Sequence, residues 1–250
     1  MLEVSHLRKV YGSEETGNVA VGDLSFVVDE KELVCILGSS GCGKTTMLRC
    51  LSGLVRATSG SVVLEGNPVS GPPKDLAYVF QDYSRSLLPW MTVERNVSFP
   101  LRYKGMSKQD ARAATAEALD AVGLGNRHRA FPWQLSGGMQ QRVAIARALA
   151  YRPRVLLMDE PFASVDAQTR SDLEDLLLKV WERYAVTIVF VTHDIDEAVY
   201  LADRVLVLQA PATVSLVAEV DLPRPRDQMT TKALPEFARL RGELLSALRQ

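Results

Sequence analysis

The chain has 250 residues, of which 47% are hydrophobic and 24% are charged, so it can bury a core of domain size. Its 29 Lys and Arg residues balance 30 Asp and Glu residues, and this net charge of −1 argues against a nucleic-acid-binding protein. No apolar run reaches the roughly 20 residues that span a bilayer, and the first residues lack the pattern of a secretion signal. We therefore expect a protein of the cytosol.

Three cysteines and two basic pairs carry no recognisable site pattern. Cys35, Cys42 and Cys50 are odd in number and lack CxxC spacing, so we predict small buried hydrophobes rather than a disulfide or zinc site. The local basic pairs are predicted to be solvated surface, namely Arg127 with Arg129 and Arg224 with Arg226.

Short runs rich in Val, Ile and Leu alternate along the chain with helical patterns. The predicted strands are residues 33–37, 77–80, 155–158, 187–191 and 205–208. The predicted helices are residues 45–51, 110–122, 139–150, 171–184 and 195–201. This alternation predicts a mainly parallel sheet that is covered on both faces.

Two parts of the chain depart from this alternation. Residues 83–150 contain no convincing strand, and we predict a helical subdomain inserted into an α/β core of residues 1–82 and 151–222. Residues 213–222 form a predicted strand or hairpin arm. The two prolines that follow end it, so residues 223–250 are predicted to be a tail with an amphipathic helix at 234–248.

A glycine-rich segment follows the first predicted strand and opens the first predicted helix. It fits the pattern G-x-x-x-x-G-K-[ST] with the residues Gly38, Ser39, Ser40, Gly41, Cys42, Gly43, Lys44 and Thr45. The glycines let several N–H groups turn toward one point, and the helix end adds positive partial charge. Lys44 is predicted to reach the β- and γ-phosphates, Thr45 to ligate Mg²⁺ and Thr46 to contact the α-phosphate. The segment therefore predicts a site for ATP with Mg²⁺.

Two carboxylates follow the predicted strand at residues 155–158. Asp159 and Glu160 are therefore expected at the C-terminal edge of the sheet, where ligands bind in open α/β folds. Asp159 is predicted to hold Mg²⁺ through its water shell, and Glu160 to polarise the attacking water as a general base or an orienting group. A solvated pair at a helix start is the alternative, and the phosphate loop favours the catalytic interpretation.

A second anion-binding helix end is predicted at residues 135–142, which read Leu-Ser-Gly-Gly-Met-Gln-Gln-Arg. Ser136, Gly137 and Gly138 open a predicted helix. Two such helix ends in one chain are hard to bring to one nucleotide. Two copies that face each other head to tail solve this, because each places its Ser136 end at the Lys44 loop of the other. We therefore predict that hydrolysis requires a homodimer.

The octapeptide and the phosphate loop together resemble the ATP-binding subunit of ABC transporters, and the resemblance covers essentially the whole chain. It implies an α/β fold with a P-loop NTPase core, a mainly parallel sheet, an inserted helical subdomain and a small antiparallel β portion. It also implies ATP hydrolysis coupled to transport at the cytoplasmic face of the membrane. The implied partners are permease subunits and, indirectly, a solute-binding protein.

The resemblance assigns roles to further residues. Tyr11 fits the aromatic residue that stacks on adenine, and Gln81 fits the glutamine that senses Mg²⁺ and the attacking water. His193 fits the switch histidine at the γ-phosphate. Asp166 fits the loop that crosses the dimer interface, although Ala-Ser-Val replaces the more frequent Ser-Ala-Leu or Gly-Ala-Leu before it. The residues assigned to the nucleotide of the partner copy are Ser136, Gly137, Gly138 and Gln140.

Residues 81–93 resemble the importer segment that receives a coupling helix of the membrane subunit. We expect Trp90 and a neighbouring leucine to be exposed there, and internal packing is the alternative. With residues 132–135, 158–162 and 222–227, this segment resembles the nitrate, sulfonate and taurine importer group. Importers of pyrimidine-type vitamin precursors and of bicarbonate share most of the pattern. The main prediction is therefore import of a small anionic solute.

A soluble ABC ATPase that acts on nucleic acid or ribosomes is the alternative from another class. Such proteins usually carry two nucleotide domains or a long coiled-coil insertion. This chain has one phosphate loop, no sustained heptads and no basic surplus. A nucleotide-binding regulator without catalysis is disfavoured because Lys44, Asp159, Glu160 and His193 are all present.

Overall fold

Two β-sheets and the helices packed on them form the fold in the computed structural model, which describes residues 1–13, 17–82 and 86–249. In chain order the strands are β1 (Leu2–Tyr11), β2 (Asn18–Val28), β3 (Leu33–Gly38), β4 (Ser59–Leu64), β5 (Asn67–Pro68), β6 (Leu76–Val79), β7 (Val155–Asp159), β8 (Thr187–Thr192), β9 (Arg204–Gln209) and β10 (Thr213–Glu219). The α-helices of the described residues are α1 (Lys44–Leu51), α2 (Val93–Ser98), α3 (Lys108–Ala121), α4 (Gly137–Ala150), α5 (Ala167–Tyr184), α6 (Ile195–Leu201) and α7 (Pro235–Leu248). The predicted mixed α/β architecture is confirmed.

The larger sheet has six strands in the order β10-β9-β3-β8-β7-β6, and each neighbouring pair is parallel except β9 with β10. Every residue of β3, β7 and β8 is buried, as expected for parallel strands covered on both faces. In β3, Leu33, Cys35 and Leu37 belong to one hydrophobic cluster, whereas Val34 and Ile36 belong to another. Because β3, β8, β7 and β6 are parallel neighbours, their C-terminal ends lie along one edge of the sheet.

The smaller sheet is antiparallel, with the order β2-β1-β4-β5. It packs on one face of the larger sheet together with α1, where Leu2 and Leu24 join Met47 and Leu48 in a common cluster. The sequence pattern did not locate these strands. Their buried residues alternate with exposed ones, and register shifts in β1 interrupt that alternation.

Three helices begin two to four residues before their predicted starts, namely α3, α4 and α5. Each first turn is polar and is stabilised by a capping side chain rather than by apolar contacts. Ser107, Ser136 and Asp166 each accept a hydrogen bond from the main-chain N–H three residues later. Apolar periodicity therefore missed these turns.

Residues 86–150 are helical or irregular throughout, as the sequence pattern predicts. They hold α2, α3, α4 and short 3₁₀ segments. Residues 83–85, which belong to the predicted coupling segment, lie outside the described residues. The division into an α/β core (1–82 and 151–222), a helical subdomain (83–150) and a tail (223–250) stays a prediction.

The prediction that Arg224 and Arg226 are solvated surface is wrong. Arg226 donates to the main-chain oxygens of Tyr200 and Ala202, both at 2.8 Å, at the C-terminal end of α6. Arg224 donates to Asp203 Oδ1 at 2.7 Å. Burial lowers the pKa of Arg226 to about 10. The two guanidinium groups fasten the start of the tail to α6, through acceptors that lie more than twenty residues away in sequence.

The three cysteines and the other basic pair lie as the sequence predicts. Cys35, Cys42 and Cys50 are free and buried, and Arg127 and Arg129 are exposed. Among the described residues, no helix combines the length and the apolar character needed to cross a membrane.

Candidate functional site

The glycine-rich segment forms a tight loop between β3 and α1. Gly43 has a φ of +111°, and a Cβ atom there would lie 2.1 Å from the main-chain oxygen of Ala20, so only glycine fits. Lys44 is 4% exposed, and its Nζ donates to the main-chain oxygens of Gly38 at 2.6 Å and Ser39 at 3.0 Å. These bonds fold the ammonium group into the loop, at the positive end of α1.

A cleft of about 680 Å³ opens over this loop. Its walls hold Tyr11, Thr45, Thr46 and Glu160, so the structure brings these predicted residues to one cavity. Tyr11 is 42% exposed at the edge of the cleft, and Lys9 Nζ lies 5.0 Å from its ring centroid. Sequence reasoning missed several lining residues: Asn18, Val19, Ala20, Ala210 and Pro211. They come from the start of β2 and the β9–β10 turn, and no motif marks them.

Asp159 ends β7 and is only 4% exposed. Its Oδ1 accepts a hydrogen bond from Thr45 Oγ1 at 3.2 Å, and its Oδ2 accepts one from the Tyr78 hydroxyl at 2.9 Å. Burial raises the pKa of Asp159, while the bonds from Tyr78 and Thr45 oppose that rise. Sequence reasoning missed Tyr78, although its place in the strand just before Gln81 could have drawn attention to it.

Glu160 follows β7 and takes a left-handed backbone conformation, with φ +42°. Its Oε1 lies 3.3 Å from Lys44 Nζ. Its Oε2 accepts a hydrogen bond from Gln81 Nε2 at 3.3 Å and lies 2.9 Å from His193 Nδ1. Lys44 at the start of α1, Gln81 after β6 and His193 after β8 therefore converge on one carboxylate, which is 13% exposed.

The helix end at residues 136–138 lies apart from this cleft. Ser136 caps α4 by accepting a hydrogen bond from Met139 N at 3.3 Å, and Gln140 Nε2 donates to Leu135 O at 3.2 Å. A Cβ on Gly138 would lie 2.4 Å from Thr169 Cγ2, so this glycine lets α4 approach α5 closely. Ser136 and Gly137 are exposed, and residues 136–140 do not contribute to the described lining of the phosphate-loop cleft.

Asp166, the other predicted interface residue, caps α5. Its carboxylate accepts hydrogen bonds from Thr169 N at 3.0 Å and Thr169 Oγ1 at 2.7 Å. These bonds lower the pKa of Asp166, which stays ionised and exposed on the surface.

A second cavity, of about 780 Å³, lies between the β6–β7 edge of the sheet and the helical residues. Among the described residues, five aromatic side chains line it: Tyr78, Phe80, Phe99, Tyr103 and Tyr151. It also reaches Thr45, Gln81 and Asp159, so it adjoins the Asp159 site. We call it the aromatic groove.

The expectation for residues 81–93 is met only in part. Trp90 is 70% exposed, as predicted. The predicted exposure of a neighbouring leucine is wrong for Leu87, which is 2% exposed, and Leu88 is half-buried. Asn96 holds this turn by accepting from Leu88 N at 2.8 Å and donating to Leu88 O at 3.0 Å, which turns the leucines toward the protein.

Comparison with known proteins bears on these features. A family profile described as ABC transporter matches residues 21–163. The chain is 45% identical to an uncharacterised ABC transporter ATP-binding protein of Methanocaldococcus jannaschii, over 99% of this chain and 91% of that protein. It is 42% identical to the nitrate import ATP-binding protein NrtD of Synechocystis, over 99% of this chain and 95% of that protein.

A bicarbonate transport ATP-binding protein, CmpC of Synechocystis, is also 42% identical, over 99% of this chain but 38% of that longer protein. The solved dimeric ATP-binding cassette MJ0796, described as a post-hydrolysis state bound to ADP and Pi, superimposes with a TM-score of 0.77. It is 33% identical and covers 88% of this chain and 99% of its own. The chain therefore belongs to the ABC transporter family, as an ATP-binding and ATP-hydrolysing subunit.

Proposed function

We propose that Glu160 activates the water that attacks the γ-phosphate, and that the chain uses this reaction to power import of a small inorganic anion. The observation that carries the catalytic part is the convergence of Lys44, Gln81 and His193 on the Glu160 carboxylate. A base or orienting group must lie within hydrogen-bond reach of its partners, and these distances meet that requirement. Lys44 joins this carboxylate to the phosphate loop.

The described oxygen donors fit Mg²⁺. Thr45 Oγ1 and Asp159 Oδ1 lie 3.2 Å apart, and the Gln81 side chain adds an amide oxygen from the neighbouring strand end. One carboxylate with neutral oxygens suits Mg²⁺, which usually keeps several waters and binds phosphate oxygens besides few protein ligands. Within the described ranges no cluster of three His, Cys, Asp or Glu residues forms a metal cage, in keeping with such an open site. When bound, Mg²⁺ neutralises charge on the β- and γ-phosphates.

A homodimer completes the site in this proposal. The Ser136 helix end is exposed and lies outside the phosphate-loop cleft of its own chain. Because it presents N–H groups at the positive end of α4, it suits the phosphates held by a second copy. The dimeric structure of MJ0796 supports this arrangement by analogy. Residues Ser136, Gly137, Gly138 and Gln140 would then contact the nucleotide of the partner.

In this proposal the predicted coupling segment 81–93 receives the permease together with the aromatic groove, which adjoins it at Gln81. Its exposed aromatic residues Phe80 and Tyr103 offer a surface for an apolar helix of a membrane subunit. The groove shares Gln81 with the Glu160 site, so a helix seated there contacts a residue that responds to the nucleotide. The chain would thus act at the cytoplasmic face of the membrane, with a separate solute-binding protein selecting the cargo.

Nitrate is the first choice of solute, because NrtD matches this chain over nearly its whole length. Bicarbonate is the close second choice, because CmpC has the same sequence identity to this chain as NrtD, 42%. Sulfonates, taurine and pyrimidine-type vitamin precursors rank below them. No comparison favours a soluble ATPase that acts on nucleic acid or ribosomes.

The catalytic part is tested with the Glu160→Gln variant of the full chain. We expect it to bind ATP, to lose hydrolysis and to elute as an ATP-dependent dimer in size-exclusion chromatography. Glu182→Gln, an exposed change of the same type on α5, is the matched control and should hydrolyse ATP at the parent rate. Parent-like turnover by Glu160→Gln would contradict the assignment of the base.

The solute is tested on the intact transporter isolated from native membranes. The co-purifying solute-binding protein is screened by thermal shift against nitrate, bicarbonate, taurine and a pyrimidine. Stabilisation by nitrate alone is the expected result. Stabilisation by another compound would change the solute and leave the ATPase assignment unaffected.

A further inference from the structure

A buried polar cluster lies beneath the turn that carries His193. Thr192 is the last residue of β8 and is 2% exposed, and Glu197 in α6 is 5% exposed. Buried carboxyl groups are rare unless a charged or hydrogen-bonding group pairs with them, so Glu197 is expected to have such partners. None of the motifs used so far includes Thr192 or Glu197.

Two hydrogen bonds in series, which we call the relay, join Glu197 to the backbone of the turn that carries His193. The N–H of Asp194 donates to Thr192 Oγ1 at 2.9 Å, and the Thr192 hydroxyl donates to Glu197 Oε2 at 2.5 Å. A hydroxyl has a single proton, so its direction is fixed once a main-chain N–H occupies its acceptor side. The peptide group that donates links His193 to Asp194. The relay therefore sets the backbone position from which the imidazole reaches Glu160.

Arg170 ties the same turn to α5. Its Nη1 lies 2.9 Å from Asp194 Oδ2, and its Nε lies 3.6 Å from Glu197 Oε1. The other oxygen of Asp194 caps α6 by accepting from Asp196 N at 2.9 Å and Glu197 N at 3.2 Å. One guanidinium group thus bridges the half-buried capping carboxylate of Asp194 and the buried carboxylate of Glu197, which holds the turn from two sides.

The cluster directly adjoins the catalytic pair. A void of about 10 Å³ is enclosed by residues of both: Glu160, Ala163, Arg170, Thr192, His193, Asp194 and Glu197. This volume is about the least that can hold one water molecule, so the residues around it lie close together. A movement of the Glu197 side chain would therefore displace His193 through the residues around this void as well as through the relay.

The surroundings of Glu197 bring further charge close to it. The titratable and charged groups around it are His193 and Asp194 in the turn, Arg170 and Glu174 on α5, Cys35 on β3 and Glu160 after β7. Burial, with the nearby carboxylates Asp194 and Glu174, raises the pKa of Glu197 to about 7, while Thr192 and Arg170 oppose that rise.

We propose that Glu197, acting through Thr192 and Arg170, is a positioning residue that holds His193 against Glu160 for ATP hydrolysis. This inference rests on the proposed role of Glu160 in activating water. It assigns Glu197 no contact with the nucleotide. The effect should therefore fall on turnover, with little change in ATP binding.

The first test breaks the relay with Thr192→Val, which keeps the shape of the side chain and removes its hydroxyl. Steady-state ATP hydrolysis by the full chain should show a kcat lowered about tenfold or more, with KM within about twofold of the parent. Thr192→Ser restores the hydroxyl and should regain most of the lost kcat. The relay would be refuted if Thr192→Val kept the parent kcat, or if Thr192→Ser were as slow as Thr192→Val.

The second test uses pH, because Glu197→Gln keeps an acceptor for Thr192 but cannot titrate. In the parent chain, Glu197 is ionised above its pKa, where it binds the Thr192 hydroxyl and Arg170 most strongly, and it is neutral below it. Protonation of Glu197 should therefore lower the kcat of the parent as pH falls from 8 to 6. The kcat of Glu197→Gln should decline less over the same range, because its amide does not titrate. Superimposable pH profiles would overturn the proposal.

The two proposals fail in distinguishable ways. If Glu160→Gln is inactive while Thr192→Val turns over like the parent, only the positioning role is refuted. If Glu160→Gln itself turns over like the parent, the proposed catalytic function fails whatever the result for Thr192. Thermal unfolding of Thr192→Val and its ATP affinity in the Glu160→Gln background separate a positioning defect from a folding defect.

Discussion

Replacing Arg226 with methionine tests whether the tail is fastened to the core through the end of α6. The guanidinium group donates 2.8 Å hydrogen bonds to the main-chain oxygens of Tyr200 and Ala202, and longer ones to Val199 and Val220. Carbonyl groups at the end of a helix lack intrahelical donors, and a cation there also interacts favourably with the helix dipole. Methionine keeps much of the apolar volume and removes every donor.

The decrease in the free energy of unfolding can be estimated from the two short bonds. A hydrogen bond to a charged group contributes about 1.5–3 kcal/mol to stability. Because Arg226 is half-buried, water can replace part of this contribution, so we expect the free energy of unfolding to fall by about 2–4 kcal/mol. For a chain of this size each kcal/mol shifts Tm by roughly 2–4 °C, so Tm should fall by roughly 5–15 °C.

The measurement is thermal unfolding followed by circular dichroism, with urea unfolding as a second probe. Arg127→Met is the matched control, because Arg127 is exposed and has no side-chain hydrogen bond or ion pair among the described residues. Its stability should change by no more than about 0.5 kcal/mol. If Arg226→Met unfolded at the same temperature as Arg127→Met, the interpretation of Arg226 as a structural clamp would be refuted.

Three further changes test the site and the groove. Gly43→Ala should weaken ATP binding about 100-fold or more in titration calorimetry, because the added Cβ would lie 2.1 Å from Ala20 O at a φ of +111°. Gly242→Ala is the control, since Gly242 has open space around it, and this variant should bind ATP like the parent. Tyr78→Phe removes a hydrogen bond that favours ionised Asp159, so the Mg²⁺ concentration for half-maximal hydrolysis should rise about three- to tenfold. Because the Asp159 pKa then rises further, that increase should be larger at pH 6 than at pH 8, and equal effects would contradict the reasoning. Tyr103→Asp places a charge in the aromatic groove, and should lower co-purification of permease subunits while the isolated subunit hydrolyses ATP at the parent rate.

Much of the site follows from the sequence because parallel strands bring their C-terminal ends to one edge. The predicted strands before Gly38, Gln81, Asp159 and His193 are parallel to one another, and each of these residues lies at or just after the C-terminal end of its strand. Their common edge therefore follows from the topology. The sequence pattern also predicts most helices. Their polar first turns escape it, because a capping side chain stabilises them without apolar periodicity.

The contacts that escaped prediction join segments that are distant in sequence. Arg226 looks like one of many surface cations, and only the fold places main-chain carbonyls of α6 beside it. Tyr78 lies in a predicted strand, yet nothing local shows that its hydroxyl meets Asp159. The burial of Leu87 likewise depends on how the turn before α2 is held by Asn96.

The adjacent carboxylates Asp159 and Glu160 show how one dipeptide serves two parts of the site. Side chains of consecutive residues in a strand point to opposite faces, and here the chain also turns through a left-handed conformation at Glu160. Asp159 is thereby directed to Thr45 and Tyr78, while Glu160 is directed to Lys44 and the residues beside it.

This division makes the order of the two residues matter more than their charge. The double substitution Asp159→Glu with Glu160→Asp would keep the net charge but would lengthen one side chain and shorten the other by a methylene. The shorter carboxylate would no longer reach both Lys44, at 3.3 Å, and His193, at 2.9 Å. We therefore expect the doubly substituted chain to lose hydrolysis as completely as Glu160→Gln, since catalysis depends on groups held within hydrogen-bond reach of one another.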